Sequence, residues 1–86
     1  MSKLRKFARN QPCTLRLPGC DGGGETTILA HMRGAGMGVK LHDSQGCHAC
    51  APCHAAFDAM ASDDAWEVFP RAQWETQGRA IEAGLL

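Results

Sequence analysis

The sequence predicts a small α+β domain stapled by metal, with its strands early in the chain and its helices late. Three observations carry this expectation. The chain has 86 residues, and its apolar 44% includes only three Phe, two Trp and no Tyr. The core is therefore thin, and domains of this size commonly need a staple. Four of the five cysteines fall into two pairs, Cys13 with Cys20 and Cys50 with Cys53. Finally, β-branched apolar runs lie before residue 50, whereas helical spacing of apolar residues follows it.

Residues 2–10 mix helix formers with basic residues, which predicts a short helix or basic arm ended by Pro12. From Cys13 to Cys20 apolar and polar residues alternate into Leu17-Pro18-Gly19. This reads as a strand running into a tight knuckle. Asp21 to Gly24 form a loop, and Thr26 to His31 a strand that delivers His31 at its end. Gly34, Gly36 and Gly38 predict a flexible loop closed by Lys40 and Leu41, and Asp43 to Gly46 a turn. Residues 47–50 are a short strand or an extended approach to Cys50-Ala51-Pro52-Cys53.

A helix after Cys53 is expected to turn Phe57, Met60 and Ala61 to the core. Ser62 reads as the N-cap of a short helix over Ala65 to Phe69. Pro70 separates it from a last helix over Arg71 to Ala83, whose Trp74 and Ile81 are expected to pack back on the domain. The whole chain, residues 1–86, is one domain. Its knuckle and ββα core span about residues 12–62, and a helical extension spans about residues 63–86.

The odd cysteine count and a basic N-terminus without an apolar stretch after it argue against a secreted disulfide scaffold. No run approaches membrane-spanning length. The expectation is a reduced, cytoplasmic chain. Formal net charge is zero, but the charges are segregated. Residues 1–40 hold seven Lys and Arg against two acids, a balance of +5; residues 41–86 hold two against seven, a balance of −5. A basic half suits a polyanion, of which phosphate backbone is the commonest; clustered surface charge is the plain alternative.

Four thiolates from Cys13, Cys20, Cys50 and Cys53 satisfy tetrahedral Zn²⁺ and close it to water, as a structural ion requires. Such an ion ties the knuckle to the central helix. The competing readings are a redox C-x-x-C, which lacks its usual βαβ setting here, and plain buried cysteine. Cys47 is left over, either as a substitute for Cys50 or as a free thiol.

A second group offers harder ligands. His54 and Asp58 stand at i and i+4, one helix face. Asp43 from the turn is a candidate third ligand for Mg²⁺ or Mn²⁺. His31, uncoordinated, suits a general base at neutral pH, and Arg33 and Lys40 suit sequence-independent phosphate contacts. Each residue also has an ordinary structural reading: a hydrogen-bonded His, a solvated helix Asp, a turn-forming Asp.

Taken together, Cys13…Leu17-Pro18-Gly19-Cys20, Glu25-Thr26, Leu29-Ala30-His31-Met32-Arg33, Gly36-Met37-Gly38-x-Lys40-x-x-Asp43 and Cys50-x-x-Cys53-His54-x-x-x-Asp58 resemble the YbcO-like prophage nuclease family. They are similar too to the HNH domain of phage RecA-dependent nucleases, over roughly residues 3–60. The resemblance implies a zinc-stapled HNH fold (ββα-metal, treble-clef-like) and metal-dependent DNA cleavage in phage recombination or DNA processing. By position it implies His31 as general base and His54 as helix metal ligand.

The chain departs from the pattern at Ala30, where many HNH enzymes place a metal-ligating Asp or His. Asp43 or Gln45 stands in for the middle Asn, and Asp58 for a common His. The alternative expectation is therefore a zinc-stapled DNA-binding or adaptor module without cleavage. DNA is the expected partner, with a recombinase such as RecA or a second copy of the chain completing the assembly.

Overall fold

The computed structural model describes residues 2–32 and 42–86. Arg33, Lys40 and the glycine loop between them lie outside the described residues. In chain order the elements are helix α1 (Lys3–Ala8), strand β1 (Ile28–Ala30), a 3₁₀ turn (Asp43–Gln45), strand β2 (Cys47–Ala49), helix α2 (Ala51–Ala59) and helix α3 (Ser62–Glu82).

The strands pair antiparallel, Ile28 with Ala49, Leu29 with His48 and Ala30 with Cys47. A two-stranded ribbon of three residues each is marginal in water and needs helices against it. α3 packs against β2, and α1 against β1. All of β2 is buried. No helix among the described residues is long and apolar enough to cross a membrane.

α1 is as expected, with the Ser2 hydroxyl accepting from the Arg5 N–H at 3.1 Å as its N-cap. The turn at residues 43–45 and the strand at 47–49 also match their expectations. The Cys13–Cys20 segment does not form the expected strand. Only an isolated bridge, Pro12 to Gly23, is paired there. At Gly23 the backbones approach so closely that a Cβ would meet the Cys13 nitrogen at 2.5 Å, and its φ is +94°. Thr14 N–H instead donates to the His48 carbonyl at 2.8 Å, and Arg16 takes φ 50°, which no strand accommodates.

The helical half differs from expectation in three ways. α2 begins at Ala51, with Cys50 as its N-cap, so both thiols of the C-x-x-C belong to the helix start. It ends at Ala59, which leaves Met60 half-buried and Ala61 exposed, while Phe57 is fully buried as expected. The third difference is larger. α3 is one helix through Pro70, not two short ones, and Ser62 is its first residue rather than its cap.

The physical reason is burial. Ala65, Phe69, Ala72, Thr76 and Ala80 form one continuous inward face across the proline. That shared face outweighs the loss of one helical hydrogen bond, about 3 kcal/mol. Trp74 and Ile81 do not pack back. They are 77% and 60% exposed, on the face turned from the core.

The core joins Leu15, Leu17, Ala30, Met32, Phe57 and Phe69 around the buried cysteines. A polar network lies beside it. The Thr14 hydroxyl donates to the His48 carbonyl at 2.8 Å, the His48 N–H donates to the Thr76 hydroxyl at 2.9 Å, and the two hydroxyls are 3.3 Å apart. These groups are buried but satisfied, as buried polar groups must be.

Candidate functional site

Cys13 and Cys20 are carried by the knuckle, and Cys50 and Cys53 by the first turn of α2. Their four sulfur atoms all lie within 4.8 Å of one another. With Zn–S bonds of about 2.3 Å, a tetrahedral ZnS₄ site has S···S edges of about 3.8 Å. The Cys20 and Cys50 sulfurs are 3.8 Å apart. Backbone N–H groups already point at the cluster: Leu17 donates to Cys53 Sγ and Gly22 to Cys20 Sγ, each at 3.3 Å. N–H donors favour thiolate over thiol. The residues therefore fit a metal such as zinc, closed on all four sides.

Burial alone pushes the Cys13 thiol up, but hydrogen bonds from the backbones of Arg16 and Cys50, the Cys53 side chain and the Leu15 backbone outweigh it and bring the group down to about 7. Desolvation raises Cys50 and Cys53. Cys47 stands apart from the cluster. It is fully buried in the core, and desolvation holds its thiol at about 12. Its sulfur is not among the four gathered within 4.8 Å, which favours a packed thiol over a substitute ligand.

The harder ligands form two pairs. His31 follows β1 directly, and its Nε2 is 3.2 Å from Asp43 Oδ1. The contact is close without hydrogen-bond alignment, so this nitrogen is buried with no hydrogen-bond partner. Asp43 is also held by Arg5, whose Nε donates to Oδ1 at 3.2 Å. Hydrogen bonding from Ser2 and then Arg5 keeps its carboxyl below the ordinary range. On α2, His54 Nε2 lies 3.3 Å from Asp58 Oδ2, an i,i+4 pair on the helix surface.

Among the described residues, the four cysteines are the one set of three or more His, Cys, Asp or Glu gathered this tightly. Asp43, His54 and Asp58 are not brought together as a cluster. Ala30, 2% exposed, lies in the core and offers no ligand atom. Arg5 and Ser2 reach Asp43 from the far N-terminus of the chain. No local pattern signals them, because 38 residues separate Arg5 from Asp43.

A family profile described as "Putative nuclease YbcO" matches residues 2–84. The chain belongs to this family. It is 44% identical over 62 residues to "Putative nuclease YbcO" of Escherichia coli K12. The same identity and length relate it to "Putative nuclease ybcO" of Enterobacteria phage 82. Each alignment covers 67% of this chain and 65% of the relative, so the chain matches slightly less than two thirds of their length. A solved structure described as "a putative bacteriophage protein" from E. coli K-12 superposes with a TM-score of 0.76 at 32% identity. That match covers 95% of this chain and all of the other.

Proposed function

We propose that this YbcO-family chain is an HNH-type endonuclease that hydrolyses DNA phosphodiesters, in phage or prophage recombination or DNA processing. The observation that carries the reading is the His31–Asp43 pair at 3.2 Å, set at the end of a strand whose partner leads directly into the cysteine-capped helix. The names of the relatives support nuclease chemistry.

With Nε2 turned to Asp43, Nδ1 of His31 is left to take the proton of an attacking water. The Asp43 carboxylate, 3.2 Å from Nε2, then stabilises by its charge the imidazolium that forms. Water oxygen bonds to phosphorus as the P–O bond to the leaving sugar oxygen breaks, and solvent returns a proton to that oxygen. His54 and Asp58 would hold a hard divalent ion, Mg²⁺ or Mn²⁺, with water and substrate as the remaining ligands. Such an ion, when bound, polarises the phosphate and stabilises the leaving oxygen. Asp43 is engaged by three protein groups, which favours an electrostatic role at His31 over the third-ligand role its spacing suggested. Arg33 and Lys40 are proposed as phosphate contacts. The zinc of the four thiolates is structural.

A second reading is a zinc-stapled DNA-binding module without cleavage. Ala30, and the absence of a third hard ligand beside His54 and Asp58 among the described residues, favour it. Plasmid nicking with added Mg²⁺ or Mn²⁺, run beside His31→Ala, separates the two. Nicking by the parent that falls at least about 10²-fold in the variant supports the enzyme. Binding without nicking under either ion supports the module. A recombinase such as RecA, and self-association through the outer face of α3 at Trp66 and Trp74, are the proposed partnerships; both tryptophans are more than half exposed.

A further inference from the structure

α1 turns Ala8 into the core and sets Phe7 against the His48 ring, with centroids 5.7 Å apart. Its cations are left outside. Arg5 and Arg9 are at i,i+4, and Lys6 and Arg9 at i,i+3, so the three share a face. They line one side of a groove of about 530 Å³ whose other side is Thr27, Ile28 and Leu29 on and before β1. Glu25 is the one acid at its rim. α1 has no acidic residue in its first turn and two basic residues in its last. Like charges at this spacing repel, so the arrangement is relieved by an anion. Among the described residues neither Lys6 nor Arg9 takes part in an ion pair.

The groove also has an apolar side: Ile28 is 42% exposed. Three cations along one open groove suit the repeated charges of a phosphodiester strand better than a single inorganic anion. The volume falls within the roughly 300–1,000 Å³ of small-ligand clefts, which suits a nucleotide or two and not a rigid duplex. Arg5 links the groove to the chemistry, since its Nε bonds Asp43, the partner of His31.

We propose that the α1–β1 groove binds a single-stranded stretch of nucleic acid, with Lys6 and Arg9 on its phosphates, and hands the neighbouring phosphodiester to His31. The placement beside His31 rests on the nuclease reading above; the binding itself does not.

The test is fluorescence anisotropy of a labelled single-stranded oligonucleotide and of its duplex, without added divalent ion, on the full chain and on the Lys6→Ala/Arg9→Ala variant. The parent is expected to prefer the single strand. The variant is expected to bind it about tenfold or more weakly, with the log–log salt slope reduced by about 0.7 for each phosphate that is no longer neutralised. Zinc content and the circular dichroism spectrum check that the variant is folded. Unchanged affinity and slope, or tighter binding of the duplex, would overturn the groove. Nicking by the parent with an indifferent variant rejects the groove and keeps the nuclease. Groove-dependent binding without nicking does the reverse.

Discussion

Arg16 grips Glu75 with both arms of its guanidinium, Nη1 to Oε1 at 2.9 Å and Nη2 to Oε2 at 2.8 Å, across 59 residues of sequence. Arg71, one turn earlier on α3, bonds the same carboxylate and donates to the Leu15 carbonyl at 3.1 Å. The fork holds Arg16 in its left-handed conformation and fastens the cysteine knuckle to α3. Hydrogen bonds from Arg16, then Arg71, keep the Glu75 carboxyl down at about 2 despite some desolvation.

A pH dependence follows from that carboxyl. Its folded value lies below the ordinary 4.5, so its stabilisation is complete above about pH 4.5 and is lost as pH falls towards about 2. Glu75→Gln is expected to cost about 1 kcal/mol at pH 7, a modest figure because the fork is partly solvated. Thermal melts at pH 7 and pH 3 check it. The variant melts several degrees below the parent at pH 7, and the gap narrows at pH 3. Equal gaps at both values would place the stabilisation elsewhere.

The cysteines divide into two kinds, and substitution separates them. Cys53→Ser is expected to abolish metal binding and, with it, cooperative folding, because an ion held by the four thiolates would join knuckle to helix. Cys47→Ala removes only a packed thiol and is expected to keep full metal content at a cost of about 1–2 kcal/mol. Zinc by mass and the thermal melt give both readouts. Loss of zinc in Cys47→Ala would put that residue in the site.

Pro70→Ala is expected to stabilise the chain, since α3 continues through this position and alanine restores a helical N–H. The gain has a ceiling of about 3 kcal/mol and is read as a higher melting temperature. A lower melting temperature would mean that the proline ring fixes a bend the core requires.

These cases show which features a sequence carries. The four cysteines, the strand before His31 and the i,i+4 pair His54–Asp58 are local patterns, and all appear in the fold. Pro70 misled because its local penalty is outweighed by a face running from Ala65 to Ala80 that only the tertiary structure buries. Trp74 and Ile81 misled for the converse reason. Their seven-residue spacing puts them on one face, but small Ala72, Thr76 and Ala80 on another face fit closer to β2. The knuckle takes its shape from Thr14 reaching His48 and from N–H groups aimed at sulfur, partners that alternation of residue types does not encode.

Asp43 tests the proposed chemistry most sharply, since two roles for it predict different kinetics. As the carboxylate that stabilises the His31 imidazolium, it acts on the chemical step. Asp43→Asn is then expected to lower kcat by about 10²-fold or more, leaving KM and the Mn²⁺ concentration for half-maximal rate nearly unchanged. As a metal ligand it acts on the ion instead, and Asn raises that Mn²⁺ concentration while saturating metal restores much of the rate. The distances favour the first role, because Oδ1 is 3.2 Å from both His31 Nε2 and Arg5 Nε, and the ligand atoms of His54 and Asp58 are not gathered with it. Nicking rates across a Mn²⁺ titration, for parent and Asp43→Asn, separate the two. Rescue by metal would return Asp43 to the coordination shell and leave His31 without a carboxylate partner among the described residues.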